Sequence, residues 1–482
     1  MTDDASVSAA VQSIVQKAGP VQILVNNAGY SLMGALEETS IKEHPTIEAH
    51  RQRHAPEKVS QPLDVAWLRQ LCLDAGADDV GFVEVDCPAL AGERPHIQRA
   101  FPHTRSVISF VLRMNRDTVR SPARSVANSE FHHTGDEVAD VARRITAALE
   151  RAGIRALNPP MGFPMEADRW GLERMWVVAH KPIAVAAGLG RVGIHRNVIH
   201  PRFGNFILLG TILVGAEISA YSQELDYNPC LECKLCVAAC PVGAIGADGA
   251  FNFSACYTHN YREFMGGFED WVETIADSKH GLDYRRRVKE SESVSMWQSL
   301  AFGPNYKAAY CMAVCPAGED VIGPYLASKK VFADDVMRPL QAKREPVYVV
   351  RGSDAEAHVR KRYPHKTVRP VRSSLRPRSI ASLLFGMPLS FQRHAAGKLD
   401  ATYHFVFTGN EPAEATVTIR GGKITVENGL LGEPNLKVTA DSETWLGFLA
   451  GERNLLWALL TRRVRLEGNP KWLLAFKRCF PS

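Results

Sequence analysis

An α/β domain followed by a smaller α+β domain is the fold that the sequence predicts, and three observations predict it. From about residue 62, strand-like and helix-like patterns alternate. Beyond residue 379, short alternating strands meet across a Gly-Gly turn. Between these regions, seven of the ten cysteines fall within 86 residues. The 482 residues are enough for two to four domains, and 45% hydrophobic with 23% charged residues is ordinary for a soluble protein. A formal charge of +5 does not by itself imply a nucleic-acid partner. The most apolar stretch, "FILLGTILVGAEI" (206–218), is shorter than the roughly 20 residues that span a bilayer and reads as a buried strand. With no transmembrane segment and an acidic start, "MTDDAS", the expected location is cytoplasmic.

Residues 1–42 contain "VQILVNNAGYSLMGALEETS", which resembles an internal piece of the short-chain dehydrogenase family. No glycine-rich phosphate loop precedes it and no Tyr-x-x-x-Lys pair follows, so a non-functional fragment is expected. Residues 43–61 are polar and read as a linker.

The main domain is expected over 62–340. "LDVAWLRQLCLDAGADDVGFVEV" (63–85) reads as a helix ended by Gly76 and then a strand. "RSVISFVLRM" (105–114) is a second strand, and "GDEVADVARRITAALERAG" (135–153) is an amphipathic helix closed by Gly153. Residues 341–378 hold eleven Lys or Arg broken by four prolines and read as a basic linker, alternatively as a tether for phosphate groups. Residues 379–482 complete the chain with strands at 401–409, 415–429 and 435–441, then a helix that Asp441 can cap.

Cys230, Cys233, Cys236 and Cys240-Pro241 form C-x2-C-x2-C-x3-C-P, the bacterial ferredoxin spacing, in which the fourth cysteine serves a second cluster. Thiolates are soft anionic donors that suit iron, whereas zinc sites commonly pair two distant CxxC units. Instead of a repeated run, Cys256, Cys311 and Cys315-Pro316 follow. This arrangement, with "KPIAVAAGLGRVGIHRNVIHPRFGNFILLGTIL" (181–213), resembles the epoxyqueuosine reductase and reductive dehalogenase superfamily over about residues 62–325, with the ferredoxin-type region at 221–325. The resemblance implies one 4Fe–4S cluster on Cys230, Cys233, Cys236 and Cys315, and a second on Cys240, Cys256 and Cys311. The superfamily's remaining cysteine falls at Ala308, so the second cluster is expected as 3Fe–4S, or as 4Fe–4S with a non-cysteine corner. His259 is a nearby alternative ligand. A cobalamin is also implied, though no short motif marks it here. Asp136, in "HHTGDEVADV", holds a place similar to the reductases' proton donor but lacks the Tyr-His that follows it there. The alternative for Asp136 is a carboxylate at a helix N-terminus.

"ATVTIRGGKITVENG", "PNLKVTADSETWLGFLAGE" and "RRVRLEGNPKWLLAF" resemble the sterol carrier protein type two family. That resemblance implies an apolar tunnel for a lipid or other apolar small molecule, with Leu446, Phe448, Leu449, Leu455 and Leu459 at helical spacing to line it or simply to pack the core. Together the resemblances imply an iron–sulfur oxidoreductase that passes electrons from a ferredoxin or flavoprotein through two clusters to an apolar substrate or a corrinoid. The alternatives are a non-catalytic electron-transfer or redox-sensing protein, and a tRNA epoxyqueuosine-type reductase.

Overall fold

The computed structural model describes residues 61–166, 174–230 and 233–481. The expectations for 1–42 and for 43–60 fall outside them.

Helix α1 (Val65–Asp74) starts where the Asp64 carboxylate accepts the Trp67 N–H at 2.7 Å. Strands β1 (Asp79–Glu84) and β2 (Ser106–Arg113) pair antiparallel, with Phe82 opposite Ile108. A long helix, α2 (Arg124–Arg151), leads to the short β3 (Ala156–Leu157), then to α3 (His180–Ala186). A small hairpin, β4 (Arg191–Val192) with β5 (Val198–Ile199), precedes β6 (Ile207–Val214). The sheet order is β1-β2-β6-β3. Both of its faces are covered. Val138, Val141, Ile145 and Leu149 of α2 pack with Ile108, Phe110 and Ile212, while Ile183 and Ala184 of α3 pack with Val107, Val111 and Leu213 on the other side. Double coverage explains why these strands read as unbroken apolar runs.

Helix α2 begins eleven residues before the expected start at 135. Its first three turns are polar in sequence yet bury Arg124, Asn128 and Thr134. Asp136 therefore lies in the middle of a helix, exposed to solvent, and not at an N-terminus.

The cysteine region carries α4 (Leu235–Ala239) and α5 (Phe253–Asn260). A three-helix insert follows: α6 (Met265–Ala276), α7 (Gly281–Arg287) and α8 (Glu290–Phe302). The short α9 (Tyr310–Ala313) returns the chain to the cysteines.

Residues 341–378 are not an unstructured linker. They form β7 (Pro346–Val350), α10 (Asp354–Arg362) and β8 (Thr367–Val371), with the two strands parallel. Val347, Val349, Ala355 and Val359 share an apolar core with Cys236, Cys240 and Tyr310. The basic residues are largely neutralised by distant carboxylates: Arg369 meets Glu292, Arg372 meets Glu273 and Asp277, and Arg376 meets Glu273. Lys366 is fully buried and bonds Glu345 at 2.7 Å and the Lys343 carbonyl at 2.8 Å. Both Glu345 carboxylate oxygens also accept from the Tyr310 hydroxyl, one residue before Cys311.

The C-terminal part opens with α11 (Ile380–Ser390) and builds a five-stranded sheet, order β11-β10-β9-β12-β13, from β9 (Ala401–Thr408), β10 (Ala413–Arg420), β11 (Lys423–Asn428), β12 (Leu436–Asp441) and β13 (Val464–Gly468). The Gly421-Gly422 turn takes positive φ at both residues, as a tight hairpin requires. Helices α12 (Ser442–Leu449), α13 (Leu455–Leu460) and α14 (Lys471–Arg478) complete it. Tyr403, Phe405, Trp445 and Phe476 form its aromatic core. Asp441 caps α12 as expected, accepting the Thr444 N–H at 2.9 Å. This part meets the cysteine region through named contacts. Asp354 accepts the His394 and Ala395 N–H groups at 2.8 and 3.0 Å, and Arg393 pairs with Asp248.

Removing one partner of a buried ion pair leaves the other uncompensated and costs about 3–5 kcal/mol. Lys366→Met is expected to lower the thermal midpoint of the full chain markedly, whereas Lys361→Met on the exposed side of α10 should leave it unchanged. Equal midpoints for the two variants would show that the Lys366–Glu345 pair does not hold this unit in place.

Candidate functional site

Seven cysteine side chains converge in two neighbouring groups. Cys230, Cys233, Cys236 and Cys315 line one cavity, together with Ile194, His195 and Tyr325. Cys240, Cys256 and Cys311 form the other group. Burial raises both the Cys256 and Cys311 thiols, the latter to about 12; the charges of Cys311 and Cys240 add to it at Cys256, and that of Cys240 at Cys311. All seven are free thiols.

The local fold explains the first group. The Ile194 N–H, in the β4–β5 turn, donates to Cys230 Sγ at 3.2 Å. Cys315 is held from the opposite side. Residues 317–320 follow it and pack backbone to backbone on the turn at 201–204: the Glu319 N–H donates to the Pro201 carbonyl at 2.9 Å and the Asp320 N–H to the Arg202 carbonyl at 3.0 Å. Gly204 has φ +67, and a Cβ there would lie 2.1 Å from the Ala317 carbonyl oxygen. In the second group, Cys240 Sγ accepts the Ala244 N–H at 3.3 Å, and burial raises its thiol while the amides of residues 242–245 act to lower it. Asn252 caps α5, which carries Cys256, by accepting the Ala255 N–H at 3.0 Å. Its side-chain amide also donates to Gln392 at 3.4 Å, at the start of the C-terminal part.

The donor set tests what these thiols can hold. Cys236 is pushed up by burial first, then by Cys311, Cys315, Cys233 and Cys230. So many buried thiolates cannot coexist without a positive group between them. A tetrahedral zinc with Zn–S of about 2.3 Å would draw its sulfurs to within about 4 Å of one another. Among the described residues, no three His, Cys, Asp or Glu side chains gather closely enough for a single metal ion. Cysteines spread around a cavity, with backbone N–H groups aimed at sulfur, fit an iron–sulfur cluster.

Ala308 is buried beside the second group, its N–H donating to Asn260 Oδ1 at 2.9 Å, and offers no ligand atom. His259 is fully buried, but its Nδ1 accepts the Tyr348 N–H at 3.3 Å. The proton of the neutral ring then sits on Nε2, so the ring does not present a lone pair for iron there. Burial pushes this imidazole down to about 3, with Lys307, Lys366 and Lys343 adding to the effect. Asp136 stands on the solvent face of α2, opposite the buried Gly135 and Val138. An aromatic wall adjoins the second group: Tyr261 and Phe264 pack on Tyr306, which packs on Phe131 of α2.

Three cationic or polar neighbours had no sequence signal. Arg124 is buried, lies over the Tyr310 ring at 5.5 Å and feels Cys311. Arg120 donates to the Ala313 carbonyl at 3.3 Å and feels Cys315. His195 lines the four-cysteine cavity. Each acts across more than a hundred residues, or through ring orientation, and spacing reveals neither. In the C-terminal part, Leu446, Leu449, Leu455 and Leu459 pack half-buried against the aromatic core, and Phe448 packs on Trp445.

Residues 391–481 match the SCP-2 sterol transfer family. The epoxyqueuosine reductase of Gloeobacter violaceus is 27% identical over 196 residues, covering 39% of this chain and 55% of that protein. The epoxyqueuosine reductase of Cellulophaga algicola is 22% identical over 250 residues, covering 45% of this chain and 76% of that protein. The structure of epoxyqueuosine reductase from Streptococcus thermophilus superposes with a TM-score of 0.32 at 16% identity, over 56% of this chain and 74% of that one. The chain thus spans about half the length of the first of these relatives.

Gly204→Ala forces a side chain into a backbone carbonyl at a positive φ, which displaces the loop carrying Cys315. The variant is expected to lose much of the iron bound by anaerobically purified protein. Gly386→Ala, within α11 at an ordinary φ and with nothing within 4 Å of its Cβ, should retain it. Full iron in Gly204→Ala would contradict the packing role assigned to this turn.

Proposed function

Because the chain joins an epoxyqueuosine-reductase-like segment to an SCP-2 sterol transfer domain, we propose that it is an iron–sulfur oxidoreductase acting on an apolar, lipid-like substrate. The observation that carries this reading is the convergence of seven cysteines, buried or half-buried, in two adjoining groups. Cys230, Cys233, Cys236 and Cys315 would hold one 4Fe–4S cluster. Cys240, Cys256 and Cys311 would hold the second, with the corner beside Ala308 left to a non-cysteine ligand, or with that iron missing. Bound there, the clusters supply one-electron chemistry, fed by a ferredoxin or flavoprotein.

The chain's own residues do the rest. Amides at 194 and 242–245 direct positive dipoles at sulfur and favour the anionic state. Arg120 and Arg124 place fixed positive charge beside Cys315 and Cys311. The Tyr261–Tyr306–Phe131 wall keeps water from the second group and gives an apolar substrate, or the flat face of a corrinoid, a surface to rest on. Gln392 and Asp354 dock the SCP-2 domain against the helix caps of α5 and α10, so a bound ligand is carried with the redox site at high effective concentration.

The relatives' name keeps a tRNA substrate as the second reading. The ion pairing of Arg369, Arg372 and Arg376 weighs against it, because guanidinium groups already engaged by carboxylates are poor phosphate binders.

Single cysteine replacements test the assignment. Cys315→Ala is expected to abolish the paramagnetic signal of one reduced cluster and Cys311→Ala that of the other. Each should keep about half of the iron and bind a fluorescent long-chain fatty acid as the unaltered chain does. Loss of the same signal in both variants would mean that the two cysteines share one cluster. Absence of fatty-acid binding by the unaltered chain would remove the lipid-like substrate.

A further inference from the structure

His195 lies in the turn of the β4–β5 hairpin and is 5% exposed. Its ring orientation follows from one contact: Nδ1 accepts the Asn197 N–H at 3.1 Å. An acceptor nitrogen carries no proton, so the neutral ring bears its proton on Nε2. That Nε2 is buried and has no hydrogen-bond partner among the described residues. A buried N–H without a partner is costly, so its persistence calls for an explanation.

The surroundings supply one. His195 lines the same cavity as Cys230, Cys233, Cys236 and Cys315. The point that a Cβ on Gly193 would occupy lies 3.1 Å from His195 Cε1 and 3.3 Å from Cys230 Sγ, so the glycine lets ring and sulfur approach across the turn. Among the described residues, the other side chains that line the cavity are apolar, apart from Lys234 and Tyr325. None is a carboxylate or an amide. Apart from the Tyr325 hydroxyl, the side-chain acceptors that the described lining gathers are sulfurs.

We propose that His195 donates a hydrogen bond from Nε2 to a sulfur of the iron–sulfur cluster at this site, and thereby raises that cluster's reduction potential. The inference rests on the reading that Cys230, Cys233, Cys236 and Cys315 hold a cluster. Reduction adds negative charge to the cluster, and an N–H directed at sulfur stabilises the reduced form more than the oxidised one. His195 is a positioning and tuning residue, not a ligand, because four cysteines already complete the site.

The test is an anaerobic redox titration of the full chain, followed by electron paramagnetic resonance, for wild type, His195→Leu and His195→Gln. In His195→Leu, with iron content unchanged, the reduction equilibrium constant of one cluster is expected to fall about tenfold, which is 59 mV for one electron. The other cluster should not move. An exchangeable proton coupling, seen by electron–nuclear double resonance and lost in deuterated water, should vanish in the same variant. His195→Gln keeps an N–H donor and should restore much of the potential. A wild-type potential in His195→Leu, or a His195→Gln potential as low as that of His195→Leu, overturns the proposal. Loss of the cluster in both variants overturns it as well, by making His195 a ligand or a scaffold. Wild-type protein with no iron at the four cysteines would instead refute the underlying reading, and it is recognised before any variant is made.

Discussion

The cost of crowding seven thiols together, three buried and four half-buried, is the constraint on which the rest of this structure depends. Each buried thiolate raises the next, as Cys236 shows under the combined influence of Cys311, Cys315, Cys233 and Cys230. Without positive charge among them, the buried thiols stay protonated. An iron–sulfur cluster would remove the conflict, because metal binding replaces the protons and couples site formation to folding. The neighbouring elements then read as supports. The 201–204 turn positions Cys315, α5 positions Cys256, and the Lys366–Glu345–Tyr310 network fixes the approach to Cys311.

The parallel strand pair of residues 346–371 is the element that joins these supports. Its apolar side completes the core around Cys236 and Cys240. Asp354, at the start of its helix, receives two amides from the C-terminal part. One short unit thus contacts both the cysteine region and the lipid-carrier domain. Among the described residues no helix is long and apolar enough to cross a membrane.

Much of this was legible in the sequence because its signals are local. The C-x2-C-x2-C-x3-C-P run, the Gly421-Gly422 hairpin and the Asp441 cap each lie within a few residues. The partner of the first three cysteines, Cys315, came from resemblance and not from spacing. The 341–378 segment was misread because its basic residues look solvated until their carboxylates at 273, 277 and 292 are brought beside them. Helix α2 was cut short for a related reason: Arg124 and Asn128 look like surface residues, yet they are buried against Tyr310 and Tyr306. His195 was invisible because a ring's orientation and an unpartnered nitrogen exist only in three dimensions.

The central claim is that the two cysteine groups hold two clusters. Iron and acid-labile sulfide, counted on anaerobically purified full-length protein and resolved by Mössbauer spectroscopy, test it most directly. Two clusters give about eight irons per chain, or about seven if the corner beside Ala308 is empty, in two spectroscopically distinct environments. About four irons in a single cluster, or zinc in place of iron, would contradict it.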